Sequence, residues 1–132
     1  MTSRFTELAI DCHDPRGLAT FWCAVLSYHI IDEQADLVEI GSWEPTAEAV
    51  RADPQPPTLV FAKVPEDKIV KNRVHIDVSP IDVSRDEEVE RLIALGARRV
   101  DVGQGEVSWV VLADPEGNEF CVLRTLAPQS GS

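Results

Sequence analysis

The chain has 132 residues, 44% of them apolar, and a formal net charge of −11. That is enough for one compact domain or for two small modules sharing a core. The acidic balance argues against a phosphate-backbone binder, which needs clustered Lys and Arg, and reads as a solvated surface; no apolar run approaches the roughly 20 residues that span a bilayer.

Residues 5–12 alternate as a strand, with Leu8, Ile10 and Cys12 on one face and Glu7, Ala9 and Asp11 on the other. Asp14-Pro15 is a helix start, an N-cap followed by proline at the first helical position. Leu18, Phe21, Trp22, Val25 and Leu26 continue it as one apolar stripe, placing Phe21 and Trp22 against the first strand. Short strands follow at Tyr28–Ile31 and Leu37–Ile40 around a polar turn. Residues 42–57 form a proline-rich loop with a helical turn near Thr46–Arg51, and Thr58–Val64 is a further strand.

Pro65–Lys71 is a charged connector, and after it the pattern repeats. Sixty-eight positions separate Glu7 from His75 and Asp14 from Asp82 (75 − 7 and 82 − 14). Arg73–Ser79 is the second first-strand. Ser84-Arg85-Asp86-Glu87 fits a capping box, Val89, Leu92 and Ile93 give the second helix its apolar face, and Gly96 suits its C-terminal turn. Strands are expected at Arg98–Val102, Val107–Ala113 and Glu119–Leu123, with the turn Asp114-Pro115-Glu116-Gly117-Asn118 before the last. The tail Ala127–Ser132 reads as frayed. The boundaries expected for the two modules are about residues 5–64 and 72–124, within one domain over 1–132.

The three cysteines, Cys12, Cys23 and Cys121, lie in apolar segments. No CxxC pair or Cys/His cluster suggests structural zinc, and no signal-peptide core follows Met1. Reduced, buried thiols and a cytoplasmic location are expected.

The first strands carry Glu7 and Asp11 in one half, and His75, Asp77 and Ser79 in the other, opposite their apolar faces. The last strand adds Glu119, with Cys121 and Leu123 on its face. In a two-layer sheet-and-helix fold these faces meet solvent. In a sheet that curls they line a cleft, and Glu7, His75 and Glu119 then make an N/O ligand set for a divalent ion such as Zn, Ni, Mn or Fe(II). Spacing does not choose between the two. Trp43, in the long loop, and Trp109 are large aromatic side chains that suit contact with an apolar ligand.

The segments Asp11-Cys12-His13-Asp14-Pro15, Leu18-Ala19-Thr20-Phe21-Trp22, Lys71-Asn72-Arg73-Val74-His75-Ile76-Asp77 and Asp114-Pro115-Glu116-Gly117-Asn118-Glu119-Phe120 together resemble the glyoxalase-like proteins of the vicinal oxygen chelate superfamily, which also holds bleomycin-resistance proteins and dioxygenases. The resemblance covers nearly the whole chain. It implies an α+β fold of two βαββ(β) modules, the sheets curving into a cup with helices outside, and a homodimer. It puts Glu7 and His75 on the first-strand metal positions and Glu119 on the last-strand position of the second module. The fourth position falls on the strand Thr58–Val64, at Leu59 or Phe61, neither of which binds metal.

Two functions follow from the resemblance. One is a metal-dependent lyase, isomerase or dioxygenase acting on a substrate with vicinal oxygens. In it a carboxylate such as Glu119 or Glu7 serves as ligand or base, and Trp43, Asp77 and Trp109 contact the substrate. The other is a non-catalytic protein of the bleomycin-resistance type that sequesters a small molecule without metal. In both, the partner is a small-molecule ligand, with no nucleic acid and no membrane.

Overall fold

The structure, a computed structural model, describes residues 2–100 and 109–128. It divides into two compact units, one ending at Asp67 and the other starting at Lys68. The first runs β1 (Glu7–Cys12), α1 (Pro15–Leu26), β2 (His29–Gln34), β3 (Leu37–Gly41), α2 (Ala47–Ala52) and β4 (Thr58–Lys63). The second runs β5 (Asp77–Val78), α3 (Arg85–Leu95), β6 (Arg98–Arg99), β7 (Val110–Ala113) and β8 (Glu119–Val122). The two sheets share one topology, β1-β4-β3-β2 and β5-β8-β7-β6, and in each the first strand pairs in parallel with the last. The mixed α+β architecture of two repeated modules is therefore as the sequence implied. No helix among the described residues is long and apolar enough to cross a membrane.

Local chemistry sets the helix ends. The Asp14 carboxylate accepts from Gly17 N–H, with Pro15 in the first turn. Such a cap contributes about 1 kcal/mol. The Ser84 hydroxyl accepts from Glu87 N–H, and the Glu87 side chain returns to Ser84 N–H, completing the capping box. Gly96 closes α3 at a positive φ of 125°, a conformation that costs most side chains about 1–2 kcal/mol.

In the first unit α1 packs on β3 and β4, the two central strands, rather than on β1, where the helical stripe alone would place it. The reason is non-local: β4 inserts between β1 and β3 and leaves β1 at the sheet edge. Leu18, Phe21 and Trp22 bury against Val38, Ile40, Leu59 and Phe61, all largely or wholly out of solvent. Pairing of Val38 with Phe61 and of Ile40 with Leu59 keeps these four on the helix face.

The second unit buries Val89 and Leu92 of α3 with Leu112, Phe120 and Val122. Its first strand is short. Residues 73–76 run beside β8 without full pairing, and only Asp77–Val78 forms a regular ladder. The predicted strands at Arg98–Val102 and Val107–Ala113 are seen as β6 and β7; their remaining ends fall mostly in 101–108, outside the described residues, as does most of the expected tail at 129–132.

Candidate functional site

On the first unit the face opposite α1 carries Glu7, Ala9 and Asp11. Their register partners on β4 are Thr58, Val60 and Ala62. Leu59 and Phe61 sit on the helix face, so the fourth position expected there is corrected to Thr58, the partner of Glu7. Thr58 is 1% exposed, and its hydroxyl donates to Glu39 Oε2 at 2.6 Å. Glu7 itself is solvent-exposed at the edge of its sheet.

On the second unit β5 lies parallel to β8, with Asp77 opposite Cys121 and Val78 opposite Val122. Cys121 N–H donates to Ile76 C=O at 3.0 Å, and Leu123 N–H to Val78 C=O at 2.8 Å. Continuing this register by two residues sets His75 level with Glu119. Alternation then puts His75, Asp77, Glu119 and Cys121 on one face, opposite Phe120 and Val122.

Glu119 is not a free ligand. Its Oε2 accepts from Lys68 Nζ at 2.9 Å and its Oε1 from Asn72 N–H at 3.0 Å. Its side chain keeps only 12% of its exposure. Burial pushes the carboxyl pKa up, but the Asn72 and Lys68 bonds outweigh it and hold the group below its ordinary value of 4.5. Asn72 also ties the turn to this corner, its side-chain amide donating to Asn118 Oδ1 at 2.8 Å. A carboxyl held lower in the folded chain than in the unfolded one stabilises the fold above the unfolded value, and that contribution fades as the pH falls through the folded value. Glu119→Gln should therefore lower the melting temperature at neutral pH and flatten its decline below pH 4.5. Parallel melting-temperature profiles for the two proteins across the acid range would contradict the assignment.

Beside Glu119, one ligand atom each from His75, Asp77 and Cys121 lies within 4.8 Å of the others. His75 Nδ1 stands 3.7 Å from Asp77 Oδ1, and both residues are solvent-accessible, whereas Cys121 is buried. Burial, and then the Asp77 charge and hydrogen bond, push the Cys121 thiol up to about 11, against a small opposing pull from Lys71. The thiol is protonated at neutral pH until something displaces the proton.

The expectation that the chain holds no Cys/His cluster is thus corrected in space: strand pairing brings together two residues 46 positions apart (121 − 75). Of the sequence-derived set, His75 retains a donor environment suited to a divalent ion. Glu119 would enter such a shell only by sharing oxygens that already serve Lys68 and Asn72. Glu7 belongs to the first unit.

Among the residues expected to contact a ligand, Asp77 is in the cluster. Trp109 lies just before β7 and is 38% exposed, so it is not a core residue. Trp43 is part-buried in the first unit, and its indole N–H reaches Pro56 C=O at 3.4 Å, tying together the two ends of the loop around α2. Sequence reasoning missed Lys68 and Asn72 as partners of Glu119, since both lie more than 45 residues away. The sequence reads Cys121 as a reduced, buried thiol; its position on the face of Glu119 is the one signal for more.

A family model described as "Glyoxalase-like domain" matches residues 7–123. No curated protein sequence matches the chain. Among solved structures, the chain is similar to a glyoxalase/bleomycin resistance protein/dioxygenase family enzyme from Burkholderia phytofirmans PsJN. The identity is 17% and the TM-score 0.62, over 91% of this chain and 97% of that one. It is also similar to the fosfomycin resistance protein FosX from Mesorhizobium loti, with 13% identity and a TM-score of 0.63 over 93% and 92% of the two chains. A third similar structure is a FosX mutant from Listeria monocytogenes, complexed with Mn(II) and a dihydroxypropylphosphonic acid, with 14% identity and a TM-score of 0.59 over 95% and 91%. At these identities the structures establish a shared fold.

Proposed function

Because the chain belongs to the glyoxalase-like domain family of the vicinal oxygen chelate superfamily, we propose that it binds a small molecule with neighbouring oxygens beside a divalent ion seated on the second unit, acting as a lyase, isomerase or dioxygenase of that class. The observation that carries this reading is the His75–Asp77–Cys121 group on the paired strands β5 and β8. The Listeria FosX structure, with Mn(II) and a ligand bearing adjacent hydroxyls, supports it by analogy of fold.

When bound, the ion supplies Lewis acidity that polarises a substrate oxygen. His75 offers the imidazole nitrogen toward it. Glu119 is the candidate proton acceptor: the Asn72 and Lys68 bonds favour its ionised form and so its return of the proton. Trp109, in the same unit, supplies aromatic contact.

We assign the two units to one domain, working in a reducing, cytoplasmic setting that suits its three cysteine thiols. The net charge of −11 suits a small-molecule partner rather than nucleic acid. Titration with Zn²⁺, Ni²⁺, Mn²⁺ or Fe²⁺ should raise the melting temperature by several degrees, since an ion at 100 times its dissociation constant adds about 2.7 kcal/mol. His75→Ala should abolish the rise. Equal rises in both proteins would remove His75 from the site.

One observation favours the second reading, a metal-free sequestering protein of the bleomycin-resistance type. The Lys68 ammonium already neutralises Glu119, the carboxylate that the resemblance gives to a metal. Under that reading no ion shifts the melting temperature, and only the organic ligand does.

A homodimer belongs to both readings. Ile69, Val70 and Val74 expose large apolar side chains, Ile69 at 90%, on a surface that pairing would cover. Light scattering at micromolar concentration should give twice the 14.6 kDa chain mass, and Ile69→Asp with Val70→Asp should give the monomer. A wild-type monomer at that concentration would overturn the dimer.

A further inference from the structure

We infer that the ion of this site is held through sulfur: Cys121 as thiolate, His75 as imidazole and Asp77 as carboxylate form a three-ligand centre for a zinc-type ion, with Glu119 left outside it. This rests on the reading that the second unit binds a divalent ion, and adds which atoms hold it and which metal they select.

Geometry comes first. The donor atoms of all three residues lie within 4.8 Å of one another. Zinc bonds to N, O and S of about 2.0–2.3 Å place tetrahedral donors about 3.3–3.8 Å apart. The group must therefore contract by roughly 1 Å, which the exposed side chains of His75 and Asp77 are free to supply. Cys121 need not move. It sits on β8, paired to β5 on one side and β7 on the other, and forms a floor beneath the two exposed side chains.

Chemistry comes second. The three residues offer one soft sulfur, one borderline nitrogen and one hard oxygen. A set containing thiolate selects zinc-type ions over Mg²⁺ and Mn²⁺. Three protein ligands leave one position open, the pattern of a catalytic rather than a structural centre. Loading breaks the Cys121 S–H bond, forms a sulfur–metal bond and releases one proton to solvent, with no change of oxidation state. The side chains nearest on the same face do not compete: both Glu119 oxygens already take donors, and Lys68 meets its charge. The residues across from Cys121 and Glu119 on β7 are Val111 and Ala113, which bring neither ligand nor charge.

Cobalt(II) is the probe, because a cobalt–thiolate bond has its own near-ultraviolet charge-transfer band. Titrated into the full chain, Co²⁺ should bind one equivalent with that band present. Cys121→Ser should abolish the band and weaken binding at least tenfold, while Cys12→Ser with Cys23→Ser leaves both unchanged. Zinc-loaded wild-type protein should show a sulfur scatterer at about 2.3 Å by X-ray absorption, a readout independent of whether any variant folds. Zn²⁺ should displace Mn²⁺ at equal concentration.

Cobalt bound without the charge-transfer band, or zinc without a sulfur neighbour, would overturn the sulfur ligation and leave a metal centre of N and O donors. No cobalt or zinc bound at all would overturn both the ligation and the metal reading beneath it.

Discussion

Trp22→Ala should destabilise the protein by about 3–5 kcal/mol, as large core truncations do. The indole is 1% exposed and is the largest of the fully buried side chains among the described residues. It meets Phe21 edge-on, with ring centroids 5.3 Å apart, and lies in the layer between α1 and the central strands β3 and β4. Removing it opens a cavity roofed by a helix whose ends are pinned by the Asp14 cap and the left-handed Ser27, so the walls cannot collapse fully. The loss is to be read from denaturant midpoints at constant slope. A loss below about 1 kcal/mol would show that the helix–sheet layer is not the core of the first unit.

Asp114→Ala should cost about 2–4 kcal/mol, because buried donors left without an acceptor cost about 1–3 kcal/mol each and the turn reaches water on one side. Asp114 is 1% exposed, and its Oδ1 accepts from Glu116 N–H at 2.9 Å and from Asn118 N–H at 3.0 Å. The Asn118 side-chain amide donates to both carboxylate oxygens. The carboxylate thus holds a turn in which Gly117 adopts a φ of 90°. The same turn launches β8, and Asn118 passes the order on to Asn72 and so to Glu119. Asp114→Asn, which keeps an acceptor oxygen, should cost less than half as much. Equal losses for the two variants would mean that the charge, rather than the acceptor geometry, holds the turn.

What could be seen in the sequence follows the range of the interactions. Capping is local, so Asp14-Pro15 and Ser84 to Glu87 place two helix starts to the residue. The 68-residue repeat disclosed two modules, and the structure shows one sheet topology used twice. Sheet order and register are set between segments about 50 residues apart, and no local pattern states them. That is why the helical stripe alone points α1 at β1, and why the sequence offers Leu59 and Phe61 where the register sets Thr58 opposite Glu7.

The site shows the same limit. His75 and Glu119 were legible as ligand-type residues on the polar faces of their strands. That Glu119 is met by Lys68, and that Cys121 comes beside His75 and Asp77, depends on the parallel pairing of β5 with β8 and on the path of residues 68–72. The one sequence mark on Cys121 is its place on the same strand face as Glu119, and that alone does not distinguish packing from ligation.

The proposed reading places a divalent ion on the second unit, held through His75. Elemental analysis of protein purified without chelator or affinity tag tests it most directly. Close to one divalent transition-metal ion per chain is expected for the wild type, with a loss of at least tenfold for His75→Ala at unchanged fold. Wild-type protein with no stoichiometric metal, which also takes up none on dialysis against Zn²⁺, would contradict it and leave the sequestering reading in its place.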